Sequence, residues 1–179
     1  MSFQLPRSKD ALKINLDKIK GAIPLLGICY GAQYLAHNYG GLVDLSNSRE
    51  YGRANLVSIS SESNLLAGIN QGSQVWMSHA DTIVKLPKNS VKIGSTSDVE
   101  NAAFSFQNEQ TYGIQFHPEV YHSTDGKLIL ENFLKKISKI EASWTPASFV
   151  DSAINSIREE INNDNVILGL SGGVDSSVA

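Results

Sequence analysis

The feature that most constrains this 179-residue chain is Ile23-Pro24-Leu25-Leu26-Gly27-Ile28. This short apolar run ends on Cys29, held between Gly27 and Gly31, and leads into Gln33, Tyr34, Leu35 and Ala36. An apolar run of that length, closed by glycines and followed by a helical pattern, reads as strand, sharp turn and helix. Strand, turn and helix in succession fit an α/β fold, which is the expected fold class.

Between Arg53 and Gln115 the pattern changes to short apolar runs separated by polar turns. Leu56–Ile59, Val75–Met77, Ala103–Phe106 and Tyr112–Phe116 are predicted strands, with Gln107-Asn108-Glu109-Gln110 turning a hairpin. Beyond Gly126, the residues Leu128, Ile129, Phe133, Leu134 and Ile137 share one side of a 3.6-residue repeat, which predicts an amphipathic helix. A second helix is predicted with Thr145 as its cap and Pro146 in its first turn. Phe149, Val150, Ala153, Ile154, Ile157 and Ile161 form its apolar face, and Asn162 to Asn165 stop it. Val166 to Leu170 then predicts a buried strand. The boundary falls near Ile140 to Thr145, giving residues 1–140 and 141–179 as two units. The second is expected to be only the entrance of a domain, and the opening strands of the first are expected to be missing from this sequence.

Composition narrows the function classes. With 41% apolar and 18% charged residues the chain can bury a core. A formal charge of -3 offers no basic field for nucleic acid or an anionic membrane, so neither is expected as a partner. One cysteine forms no intrachain disulfide, and Met1 to Asp10 lacks the apolar stretch of a signal peptide, which together favour a reducing cytoplasm. No apolar run approaches the roughly 18 residues that span a bilayer. One cysteine and four scattered histidines show no paired ligand spacing, so no metal site is expected on this chain.

The chemistry concentrates at Cys29. A lone cysteine is often a small buried hydrophobe. A cysteine on a glycine-bracketed strand-to-helix turn also fits a nucleophile, because that turn needs a strained backbone and uncrowded neighbours. The helix that follows aims its amides at the sulfur, which is expected to lower the thiol pKa and to supply the Tyr30 N–H for an oxyanion. Another predicted strand delivers His117, followed by Pro118 and Glu119. An imidazole that takes the thiol proton, held in one tautomer by a carboxylate, completes a nucleophilic constellation. His37 falls in a predicted helix and His122 in a loop. His79 follows a strand and fits either a site wall or a turn.

A second motif, Ser171-Gly172-Gly173-Val174-Asp175-Ser176-Ser177, follows the last apolar run. Glycines let backbone amides converge on an anion, and the serine hydroxyls and a helix N-terminus add donors and positive potential, so the string reads as a phosphate cradle. No Gly-Lys-Ser/Thr follows, so it is not a Walker A loop.

Gly27-Ile28-Cys29-Tyr30-Gly31-Ala32-Gln33 together with Phe116-His117-Pro118-Glu119 resembles the class I glutamine amidotransferases over roughly Leu25 to Leu134. The resemblance implies a mixed sheet flanked by helices and release of ammonia from glutamine. It makes Cys29 the nucleophile, His117 the general base and then acid, and Glu119 its orienter, with Gln33, Ser78 and His79 holding glutamine. The family also has a Gly-Gly loop that gives a second oxyanion amide, and no such pair precedes Cys29. Losing one donor typically costs about 10²–10³ in rate, so this chain alone is expected to be inactive or nearly so.

The glycine–serine string resembles the pyrophosphate loop of the N-type ATP pyrophosphatases. That implies ATP held by residues Ser171 to Ser177, with magnesium as cofactor. The two motifs in this order resemble synthetases that deliver ammonia to ATP-activated xanthosine monophosphate (XMP), with glutamine, ATP and XMP as substrates and a homodimer as the complete enzyme. The alternatives are an isolated amidotransferase-like hydrolase and an inactive fragment of such a synthetase.

Overall fold

The computed structural model describes residues 14–167, 169, 172 and 173, with 46–50 described in their backbone only. The described chain falls into two compact units, 1–140 and 141–179.

In the first unit, a short 3-10 turn (Leu16–Lys18) precedes β1 (Leu25–Ile28), and α1 (Tyr30–Asn38) follows after the single residue Cys29. The remaining elements are β2 (Leu42–Asn55), β3 (Ser58–Ile59), β4 (Gln74–Lys85), β5 (Ser90–Ser95), β6 (Ala103–Phe106), β7 (Thr111–Ile114) and α2 (Gly126–Glu131). Five strands form a mixed sheet in the order β1-β7-β6-β5-β3, in which β1 and β7 run parallel and the other pairs antiparallel. β2 and β4 form a separate antiparallel ribbon.

The period-two alternation of strands sorts the core into two layers. Phe104 and Phe106 point to the face covered by Ala32, Leu35 and Ala36 of α1, while Ala103, Tyr112 and Ile114 point to the face covered by Leu65, Leu66 and Ile129. Burying Phe104 completely stabilises the sheet by about 1.5–3 kcal/mol. Its ring lies over Gly113, where an added Cβ would collide with the ring, so β7 needs a glycine there.

The predicted hairpin at 107–110 joins β6 to β7. The first strand, α1 and the strands at 75–77 and 103–106 also form, although β4 extends well beyond its predicted run and only 58–59 of the run 56–59 is strand. Three expectations need correction. The helix predicted after Gly126 changes character at Asn132, where it continues as a π-helix to Ile137. The Asn132 side-chain amide donates to the carbonyls of Leu65 and Ala67 at that junction, tying it to the loop beneath. β2 and β5 escaped the sequence reading. Thirdly, the buried strand expected from Val166 does not form among the described residues: Val166 is 67% and Ile167 95% exposed, and neither has a strand partner. A strand is stable only when its backbone groups find a neighbouring ladder.

In the second unit α3 (Pro146–Ile161) starts as predicted. Thr145 caps it through a reciprocal exchange with Ser148, and Pro146 takes the first turn. Asn162, at φ 51°, ends it. None of its residues is buried. No helix among the described residues is long and apolar enough to cross a membrane.

Candidate active site

Cys29 stands between β1 and α1 with φ 50° and ψ -109°, a left-handed backbone that costs a non-glycine residue of order 1–3 kcal/mol. Two features hold it there. Its N–H donates to the Ile114 carbonyl at 2.8 Å, extending the β1–β7 ladder by one residue, and its carbonyl accepts from Ala32 and Gln33 as α1 begins. Gly27 makes the turn sterically possible, because a Cβ there would meet the Gly31 backbone at 2.8 Å and Leu35 Cδ1 at 2.7 Å. Gly31 differs from expectation, since a Cβ at that position would meet nothing within 4 Å. The bracket therefore works through the absence of a side chain at 27 and the closeness of the backbone at 31.

The thiol is half-buried and directed at the Ser78 carbonyl, 3.9 Å away on β4. Its pKa is raised rather than lowered, which corrects the expectation from the helix terminus. Burial dominates; the Tyr30 N–H works in the opposite sense by favouring the thiolate, and the Glu119 carboxylate adds a smaller upward push. Burial therefore favours the neutral thiol over the thiolate.

β7 runs parallel to β1, and His117 follows it, so both residues leave the same edge of the sheet. Gln115, fully buried, locks this exit: its side chain accepts from Ile83 N–H and donates to the Asn101 carbonyl at 3.0 Å. His117 N–H donates to the Trp76 carbonyl of β4 at 2.9 Å. The imidazole Nδ1 lies 2.6 Å from Glu119 Oε1. With the proton on Nδ1 donated to that carboxylate, Nε2 keeps its lone pair. Nε2 is buried and has no hydrogen-bond partner among the described residues.

The residues expected to hold glutamine divide. Ser78 lies half-buried on β4, beside the sulfur. Gln33 is buried on α1, where its side-chain amide donates to the Asp81 carbonyl at 2.7 Å and ties the helix to β4. His79 is 5% exposed, and neither ring nitrogen has a well-formed hydrogen bond. Burial lowers its pKa to about 4; the nearby Asp81 backbone partly offsets this and the neighbouring His117 adds to it, so His79 is neutral at physiological pH. His37 is exposed on α1, and His122 is exposed and stacked on Trp76 with ring centroids 4.6 Å apart. Sequence reading missed Ser123, which is buried behind His117; a serine between two turn residues carries no signal that separates it from an ordinary loop.

Of the second motif, only Gly172 and Gly173 are described. Gly172 has φ +77°, and open space surrounds the position of an added Cβ. Ser171, Val174, Asp175, Ser176 and Ser177 lie outside the described residues. Among the described residues no group of three His, Cys, Asp or Glu side chains could hold a metal ion.

A cysteine on a strained strand-to-helix turn, at the edge that carries an imidazole–carboxylate pair, has the layout of a cysteine-nucleophile site. The model of the family "Glutamine amidotransferase class-I" matches residues 3–137, and the chain belongs to that family. Its mixed sheet flanked by helices is the fold of its structural neighbours. It is 56% identical to a glutamine-hydrolysing GMP synthase of Christiangramia forsetii over 97% of this chain and 34% of the relative. The corresponding protein of Bacteroides thetaiotaomicron is 48% identical over 96% of this chain and 34% of the relative. The chain thus spans about a third of the length of these curated relatives. A protein of Thermoplasma acidophilum described as one subunit of a GMP synthase superposes with a TM-score of 0.61 at 31% identity, covering 73% of this chain and 61% of that one. A glutamine amidotransferase of Thermotoga maritima superposes with a TM-score of 0.50 at 25% identity, covering 77% of this chain and 56% of that one.

Proposed function

We propose that this chain supplies the glutamine-hydrolysing part of a GMP synthase and that Cys29, His117 and Glu119 carry its chemistry. The observation that carries this is the pairing of the Cys29 turn with a His117–Glu119 contact of 2.6 Å at the same sheet edge. In the reaction, Cys29 Sγ attacks the carboxamide carbon of glutamine while His117 Nε2 takes the thiol proton. The Tyr30 N–H stabilises the oxyanion. Collapse of that intermediate breaks the C–N bond, His117 returns its proton to the leaving nitrogen, and ammonia departs. Water, deprotonated by the same Nε2, then splits the thioester to glutamate and restores the thiol. The raised thiol pKa gives His117 its task, because the nucleophile is not ionised beforehand. Ser78 and His79 on β4 would line the glutamine pocket, with Gln33 holding β4 against α1.

The ammonia would serve a second site. ATP would be gripped by the string Ser171 to Ser177, with magnesium accompanying its phosphates. The open, positive-φ glycine at 172 suits close approach of an anion to the backbone. ATP there would activate XMP for amination to GMP in a homodimeric, cytoplasmic enzyme.

Cys29→Ala in the full-length protein tests the assignment. Glutamine-dependent synthesis should fall by at least about 10³-fold, whereas synthesis from added ammonium should stay within about 2-fold. Equal loss of both would contradict the role of Cys29.

A further inference from the structure

Trp76 on β4 and His117, which lies beyond the end of β7, are joined by one backbone hydrogen bond, from His117 N–H to the Trp76 carbonyl. A second link runs through a side chain: the Trp76 N–H donates to Ser123 Oγ at 3.1 Å, and that hydroxyl donates onward to the His117 carbonyl. Ser123 Oγ is thus a one-atom wedge between β4 and the segment that follows β7, using its capacity to accept and donate at once.

The wedge is braced from behind. Ser123 is 6% exposed, its N–H donates to the Val120 carbonyl, and its own carbonyl accepts from Gly126 N–H. Gly126 packs so closely on Pro118 that a Cβ there would collide with the Pro118 carbonyl oxygen. Thr124 N–H and the His122 carbonyl are both bonded to Gln74, so the loop from 117 to 126 is fastened to β4 on both sides of the hydroxyl. β4 also presents the Ser78 carbonyl to the sulfur, so one strand registers both reacting partners.

We infer that Ser123 is a positioning residue, whose hydroxyl sets the tilt of the His117 peptide and so aims Nε2 at the Cys29 thiol. This rests on the proposed glutaminase reading. Removing the hydroxyl frees the Trp76 N–H and His117 carbonyl to close into a direct pair. The fold survives that change, but the imidazole turns away from its working direction.

Glutamine hydrolysis by the full-length protein tests this with Ser123→Ala, Ser123→Thr and Cys29→Ala measured side by side. Ser123→Ala should lower kcat about 10- to 100-fold with KM for glutamine within about 2-fold, because misplacement by about 1 Å acts on the chemical step. Ser123→Thr, which keeps the hydroxyl, should retain kcat within about 3-fold. Unchanged kcat in Ser123→Ala, a loss confined to KM, or equal losses in Ala and Thr would overturn the role of Ser123. If Cys29→Ala retained hydrolysis, the underlying glutaminase reading would fall instead, so the two failures are distinguishable.

Discussion

Two short apolar runs in this chain each feed a loop that contains glycine, and they end differently. Leu25–Ile28 pairs residue for residue with β7 and delivers Cys29 on a fixed turn. Val166 and Ile167 carry an equally strong local signal yet stand exposed and unpaired among the described residues. Strand propensity describes fitness for a pleated, half-buried surface, and among the described residues the first run meets such a surface while Val166 and Ile167 do not. Position in a sheet, rather than the apolar run itself, is what fixes the backbone of the turn at Cys29.

The largest expected contrast is in amide hydrogen exchange. Leu25 and Cys29 donate to the Gln110 and Ile114 carbonyls, so their amides should exchange at least about 10³-fold more slowly than those of Val166 and Ile167. Comparable rates, measured by NMR on this chain, would erase the distinction. A smaller contrast comes from the glycines. Gly27→Ala forces a side chain against the Gly31 backbone and should cost about 1–3 kcal/mol in urea denaturation of the first unit. Gly169→Ala meets nothing within 4 Å and should stay within about 0.5 kcal/mol. A local effect belongs to Thr145→Ala, which removes the cap of α3 and should lower the local stability of that helix by about 1 kcal/mol, read from exchange of the Ser148 amide.

What the sequence disclosed follows the same division. The cap at Thr145, the stop at Asn162 and the elbow at Cys29 are set within a few residues, and each could be read directly. β2 could not, because its polar stretch around Asp44 to Arg53 lacks alternation and is held by its pairing with β4. β5, with Lys92 and Gly94 in its short run, has the same difficulty. At the site, residue types marked Cys29, His117 and Glu119, whereas the direction of the thiol pKa depended on burial, which no local pattern records. The π-helical continuation at Asn132 also answers to a distant partner, the loop at Leu65 to Ala67.

The ribbon of β2 and β4 has slack on both strands, one extra residue on β4 opposite Leu42 and Val43 and a larger excess on β2. Between the pairs Leu45 with Asp81 and Glu50 with His79, β2 advances from 45 to 50 while β4 retreats only from 81 to 79. Insertions or deletions among those outer residues can be absorbed as a larger or smaller bow. Between Trp76 and Ser78, β4 pairs with β2 in regular register, which keeps the distance between the carbonyls that contact the His117 segment and the sulfur. A change in chain length is therefore most readily taken up on β2, away from the Trp76 and Ser78 carbonyls.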